Sequence, residues 1–279
     1  GIITSMAGPE GRQSGFERPY TGKQLASWAG QSVSLAVFYT LAGVFLAHAS
    51  PRATGVLVAL LIVHGVVVLL SLFLWVYLET HKPWETSCWG ALLPDTTRWT
   101  EVKYCREHKR KIEGLDHFCF WLNISVGRSN YIPFILLVSL GVIQFTLQAV
   151  TALFFVTLWE SQARDGLSDG GFIGFTVGVV VHEALVCAGL SSYLMLLVFH
   201  VHLARLGIST YAFIIDQTKQ QRAKRTGTTP SRNTGAPLPP AIHPRGKTAP
   251  PGTSHPTPLP DPEAGAVTSS ALELEQGGV

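Results

Sequence analysis

Cysteine is scarce in this chain: Cys88, Cys105, Cys119 and Cys187 are the four present in 279 residues. So few, spread so widely, exclude a disulfide framework as the source of order. Charge is thin as well. Asp, Glu, Lys and Arg make up 14% of the residues against 47% hydrophobic ones, where globular domains carry about 25% charged residues. That shortage argues against an ordinary soluble domain. The formal net charge is only +3, whereas a nucleic-acid-binding surface needs a large, focused excess of Lys and Arg. No nucleic-acid partner is expected.

Apolar residues take the place of the missing charge, and they are gathered into runs. Four runs, roughly 26–48, 54–78, 132–158 and 172–201, each reach the ~20 residues that a bilayer core requires. Membrane lipid is therefore an expected partner. Arg12, Arg18 and Lys23 precede the first run, and Lys82, Arg98, Lys103, Arg106, Lys109, Arg110, Lys111 and Arg128 lie between the second and third. A further group from Arg205 to Lys247 follows the fourth, while the other two connections carry only Arg52 and Arg164. The positive-inside rule puts both flanks and the long central loop on the cytoplasmic or matrix-like face.

The expected fold class is all-α: a polytopic membrane protein with four transmembrane helices, a cytoplasmic-side loop between the second and third, and an extended tail. In order along the chain come an N-terminal segment (1–25), helices one and two (26–78) and a loop rich in Cys, His and Trp (79–131). Helices three and four (132–203), a basic amphipathic segment (204–225) and a Pro/Gly-rich tail (226–279) follow. The tail has no helical or strand periodicity. It cannot bury enough apolar surface to offset an ordering cost of ~1–2 kcal/mol per residue, so neighbouring protein subunits are expected to hold residues 226–279.

The loop reads Gly114-Leu115-Asp116-His117-Phe118-Cys119-Phe120-Trp121-Leu122-Asn123 and continues to Val126-Gly127-Arg128-Ser129-Asn130-Tyr131. An Asp-His-x-Cys core followed by Gly-x-x-Asn-Tyr, between the second and third of four spans, resembles the DHHC family of protein S-acyltransferases (palmitoyltransferases). Asp-His-Phe-Cys stands here in place of Asp-His-His-Cys. The resemblance implies that Cys119 takes a fatty acyl group from acyl-CoA and passes it to a protein cysteine, with Asp116 orienting a histidine that accepts the thiol proton. That histidine is expected at the second His position, which is Phe118. Thiolate formation governs such chemistry, and a phenyl ring accepts no proton, although relatives with Tyr at this place can be active.

The resemblance also implies two structural zinc ions, each needing four deprotonated donors. At one site the positions read Cys105, His108, His117 and Ser125, so three donors survive. At the other, Tyr104 and Lys111 replace ligands, and Leu92 and Asp95 stand where a Cys-x-x-Cys pair belongs. Two outcomes stay open. The loop is metal-free and held by Trp84, Trp89, Trp99, Phe118, Phe120 and Trp121, or a single zinc remains on Cys105, His108 and His117. No cofactor is expected, with acyl-CoA used only if the chain is active. Past the last span, the family's Thr-Thr-x-Glu motif reads Ser209-Thr210-Tyr211-Ala212, and without its carboxylate the coupling of this segment to the loop is expected to weaken.

Loss of the base, the zinc ligands and this carboxylate together favours a pseudoenzyme, an accessory or structural subunit of a larger membrane complex. The alternative is an active S-acyltransferase working through Cys119. The family resemblance implies an endomembrane; a complex subunit would equally suit an inner organellar membrane. Within the spans, His64 and His182-Glu183 fall near the midplane and are expected to face the bundle interior, with His64 hydrogen-bonded to Glu183.

Overall fold

The structure is a computed structural model that describes residues 11–226. The first ten residues and the segment beyond Thr226 lie outside the described residues, and with them the tail expected to run across neighbouring subunits.

Among the described residues, four helices are long and apolar enough to cross a membrane: α1 (Gly22–Leu46), α2 (Pro51–Thr80), α4 (Tyr131–Val156) and α6 (Asp169–Leu206). Between α2 and α4 lie a one-turn helix, α3 (Thr97–Thr100), and four short strands: β1 (Val102–Cys105), β2 (Arg110–Glu113), β3 (His117–Cys119) and β4 (Ile124–Val126). The short α5 (Glu160–Gly166) joins α4 to α6, and α7 (Thr210–Thr226) follows α6. The spans hold to the all-α expectation, and the loop adds two antiparallel hairpins, β1–β2 and β3–β4, that it did not include.

Capping chemistry sets the helix ends. Thr21 accepts from the Gln24 N–H ahead of α1, and Ser50 accepts from the Ala53 N–H ahead of α2, whose first residue is Pro51. Both are favoured entry chemistries. Ser168 caps α6, and Gly207 closes it at φ +68°, a conformation that glycine adopts without a Cβ clash. α4 packs against both α2 and α6.

Several polar residues of the spans pair inside the bundle. His64 is fully buried, with Tyr39 Oη 2.9 Å from its Nδ1 and Gln148 Nε2 donating to its Nε2 at 3.1 Å. Ser34 donates to Gln148 at 2.9 Å, and Gln144 donates to Gln31 at 3.1 Å. His182 is also buried, stacked on Phe38. The expected His64–Glu183 bond is not formed: Glu183 instead accepts from Cys187 Sγ, one turn along its own helix. Adjacent helical residues diverge by about 100°, so His182 facing inward turns Glu183 away from His64.

Two apolar clusters sit at opposite ends of the bundle. One gathers Phe45, Leu57, Phe155, Trp159 and Phe175. The other joins Leu78 at the end of α2 and Tyr131, Phe134 and Val138 of α4 to Trp99, Cys119, Leu122, Ile124 and Val126 of the loop, so the loop is fixed to the helix ends by a shared core. Residues 11–21 strap across it: Arg12 N–H donates to the Glu107 carbonyl, Gly15 N–H to the Glu79 carbonyl, and Asn123 Nδ2 to the carbonyls of Gly15 and Pro19. Buried Glu79 accepts from Trp75 at 2.8 Å, Gln24 at 3.3 Å and Trp28 at 3.4 Å. Phe16, Tyr20, Trp28 and Trp75 cluster beside it, with ring centroids 5.3–6.2 Å apart.

Candidate active site in the β3–β4 hairpin

Successive side chains of a strand point to opposite faces. In β3 this puts His117 and Cys119 on one face and Phe118 on the other. Phe118 pairs across the hairpin with Ser125, and His117 with Val126. Just upstream, Gly114 makes the turn at φ +58°, where an added Cβ would meet the Trp99 carbonyl oxygen at 2.8 Å.

Asp116 follows that turn and is fully buried. Its Oδ2 accepts from His117 Nδ1 at 2.9 Å and from Thr210 Oγ1 at 2.7 Å. Its Oδ1 accepts from the Thr210 N–H at 3.1 Å and from Arg98 at 3.5 Å. Burial alone would raise this carboxyl, but the His117 and Thr210 hydrogen bonds outweigh it and hold the group well below the usual carboxylate range. A carboxylate only accepts, so the His117 proton sits on Nδ1. The other ring nitrogen is left for the Cys119 thiol, with which His117 also interacts. Burial opposes a charge on His117, yet Asp116 and Cys119 prevail and raise it to about 9.

The strand puts Phe118, the position expected to hold the base, on the face opposite His117 and Cys119, because residues two apart in a strand share a face. His117 is correspondingly not a partner of Cys105 and His108. Those two lie toward the Phe118 face, where Cys105 Sγ is 3.1 Å from Ser125 Oγ and His108 is 6.0 Å from the Phe118 ring centre to centre. The coupling expected to weaken with Ala212 in place of a carboxylate is present by another route: Thr210 bonds the Asp116 carboxylate, and the Tyr211 N–H donates to the Asp116 carbonyl at 2.9 Å.

The donor set does not fit zinc. His108 has both nitrogens engaged, Nδ1 2.6 Å from the Arg12 carbonyl oxygen and Nε2 accepting the Ser125 N–H at 3.2 Å. Burial pushes the Cys105 thiol up, away from the thiolate that a metal needs. With Phe118 and Ser125 in the remaining places, two nitrogen or sulfur donors stand where four are required. At the second position Tyr104 and Lys111 are exposed, and Asp95 is paired with Arg128. Trp84 packs edge-on against His108, with centroids 5.3 Å apart, so aromatic packing occupies the ground that coordination would hold.

Four contributors were not among the sequence candidates: Arg98, Thr210, Tyr131 and His200. Arg98 also donates to Tyr131 Oη at 3.2 Å, and Tyr131 Oη lies 3.5 Å from His200 Nδ1. Ligand atoms of Asp116, His117 and His200 come within 4.8 Å of one another. The Arg98 cation and the Thr210 donors already satisfy that carboxylate, which makes the cluster a hydrogen-bonded ring rather than a cation site. Thr210 had a signal in its Ser-Thr motif. His200 had none, since one histidine near the end of an apolar helix reads as core.

Residues 95–223 match the family model described as DHHC palmitoyltransferase. The "Probable protein S-acyltransferase 20" of Arabidopsis thaliana is similar to this chain at 27% identity over 124 residues, covering 40% of this chain and 17% of that relative. The chain thus spans about a sixth of the length of the curated relative it matches.

Proposed function

Since the match over residues 95–223 makes this chain a member of the DHHC family, we propose that it is an active protein S-acyltransferase with Cys119 as nucleophile and His117 as proton acceptor. The observation that carries the reading is the order Asp116–His117–Cys119, with Nδ1 bound to the carboxylate and the second nitrogen left for the thiol. Such an arrangement is the general signature of an activated thiol: nucleophile, base, and a third group that orients the base.

In the first step the thiol proton is carried by His117, which Asp116 and Cys119 favour as an imidazolium, and the Cys119 thiolate attacks the carbonyl carbon of a fatty acyl-CoA. A new S–C bond forms, the bond to the CoA sulfur breaks, and the leaving thiolate takes the proton from His117. In the second step a thiol of the protein substrate gives its proton to His117 and attacks the acyl-Cys119 thioester, releasing Cys119. Asp116 stays ionised and stabilises the imidazolium in both steps. No step is routed through zinc.

The accessory-subunit reading rested on the joint loss of base, zinc ligands and motif carboxylate together with the Pro-rich tail, and a histidine on the Cys119 face of β3 weakens the first of these supports. In the proposed topology the loop and both flanks face the positive-inside side of the membrane. Incubating the purified chain with labelled palmitoyl-CoA should give hydroxylamine-sensitive label on Cys119, absent in Cys119→Ser. A wild-type chain that takes no label would return the accessory role to first place.

A further inference from the structure

His200 completes the ring around Asp116 but touches neither the thiol nor the carboxylate in the chemistry above. It projects from α6, is only 2% exposed, and packs 5.4 Å from His117, ring centre to ring centre. Phe134 lies against both imidazoles, at 5.3 Å from His117 and 5.1 Å from His200. Tyr131 Oη accepts from Arg98, which leaves its own proton for His200 Nδ1. The same Arg98 reaches Asp116. A closed circuit therefore runs Asp116–Arg98–Tyr131–His200–His117 and back to Asp116.

A histidine ring fixed by one hydrogen bond is not fully fixed, because the torsion that turns the ring is broad. The Nδ1–Asp116 bond alone would let the opposite nitrogen of His117 swing across the thiol. Packing on the ring faces is what confines it, and a site loose by about 1 Å loses much of its effect. We propose that His200 is a positioning residue: wedged against His117 and tied through Tyr131 and Arg98 to Asp116, it holds the His117 imidazole in the orientation that activates Cys119. This deepens the acyltransferase reading and rests on it for the role of Cys119. Its consequence is legible on the free thiol without any acyl donor.

The test is the rate of Cys119 alkylation by iodoacetamide in the full chain, resolved by peptide mass spectrometry between pH 6 and 10. His117→Ala should move the profile toward that of an ordinary thiol, near 8.5. His200→Phe keeps a ring of similar size but loses the acceptor for Tyr131. It should slow alkylation at pH 7 about tenfold, the scale of a modest misplacement, and move the profile in the same direction as His117→Ala. His200→Asn, with an acceptor near the Nδ1 position, should retain more of the wild-type rate than His200→Phe. If His200→Phe fails to fold, Tyr131→Phe removes the same proton and carries the same expectation. A His200→Phe profile that superimposes on wild type while His117→Ala moves would overturn the positioning role alone. Were His117→Ala also without effect, the activated-thiol reading itself would fall.

Discussion

One face of β3 carries His117 and Cys119 against a buried, fully bonded carboxylate; the other carries Phe118 opposite Ser125, near His108. The two faces differ in what they must supply. A structural metal site supplies only order, and order can be replaced by packing, here Trp84 and Phe118 about His108 and the strap of residues 11–21 bonded across the same region. A proton acceptor has no such substitute, because no amount of apolar contact takes a proton from a thiol. Alternation in a strand keeps the faces independent, so ligands can be lost at Phe118 and Ser125 without displacing His117, one residue away.

The largest effect should come from exchanging damage between the faces. His117→Ala is expected to lower Cys119 acylation by about 100-fold or more in the folded fraction, the usual contribution of a positioned base. Phe118→Ala should do the reverse, costing about 2 kcal/mol of stability for a half-buried ring while the surviving folded fraction keeps its acylation rate. Comparable rate losses in both variants would erase the distinction. The double substitution Phe118→His with Ser125→Cys should next restore a Cys2His2 donor set around Cys105 and His108, and elemental analysis should rise from below one zinc per chain toward one. Failure to gain metal would mean that the strap, not donor identity, governs that face.

Smaller effects test the carboxylate. Thr210→Val removes the hydroxyl donor at 2.7 Å from Asp116; a bond to a charged group contributes about 1.5–3 kcal/mol, and a change below 0.5 kcal/mol in chemical denaturation would show that the α7 junction is not coupled to the site. The finest test is pH. The fold raises His117 to about 9 from an ordinary value near 6.5, so its charge stabilises the folded chain fully below about pH 6.5. That stability is lost as pH rises through 9. The difference in melting temperature between wild type and His117→Gln should accordingly be widest near pH 6 and close by pH 10. Asp116, depressed by its partners, contributes above the ordinary carboxylate range and loses that contribution only in strong acid.

The four spans were legible because length alone identifies a bilayer-crossing helix. Their ends were less so: α6 runs Asp169–Leu206 rather than 172–201 because Ser168 and Gly207, not hydropathy, end it. The two hairpins were invisible, since strands of three or four residues in a charged loop leave no measurable period. The candidate site was half read. Cys119 and Asp116 lie together, but a motif read as a string of letters does not say which way each side chain points. Strand alternation would have put His117 beside Cys119 and Phe118 opposite. His200 lies 81 positions beyond Cys119 and meets the site only because α6 returns to the loop. Such a contact belongs to the tertiary fold and has no local trace.

The cluster of Phe16, Tyr20, Trp28 and Trp75 around Glu79 also fixes a depth. Rings of this amphipathic kind settle at the headgroup layer, where an apolar body and a polar edge are both solvated. Thr21, at the foot of α1, donates its hydroxyl proton to the Phe120 carbonyl, one residue from Cys119. The proposed nucleophile is thereby tied to the foot of α1, beside the rings that suit the headgroup layer. Under the acyltransferase proposal, a donor that floats with its hydrocarbon chain in the bilayer would bring its thioester to that same layer, and thiol and acyl group would meet by diffusion in two dimensions, without the chain being drawn into water.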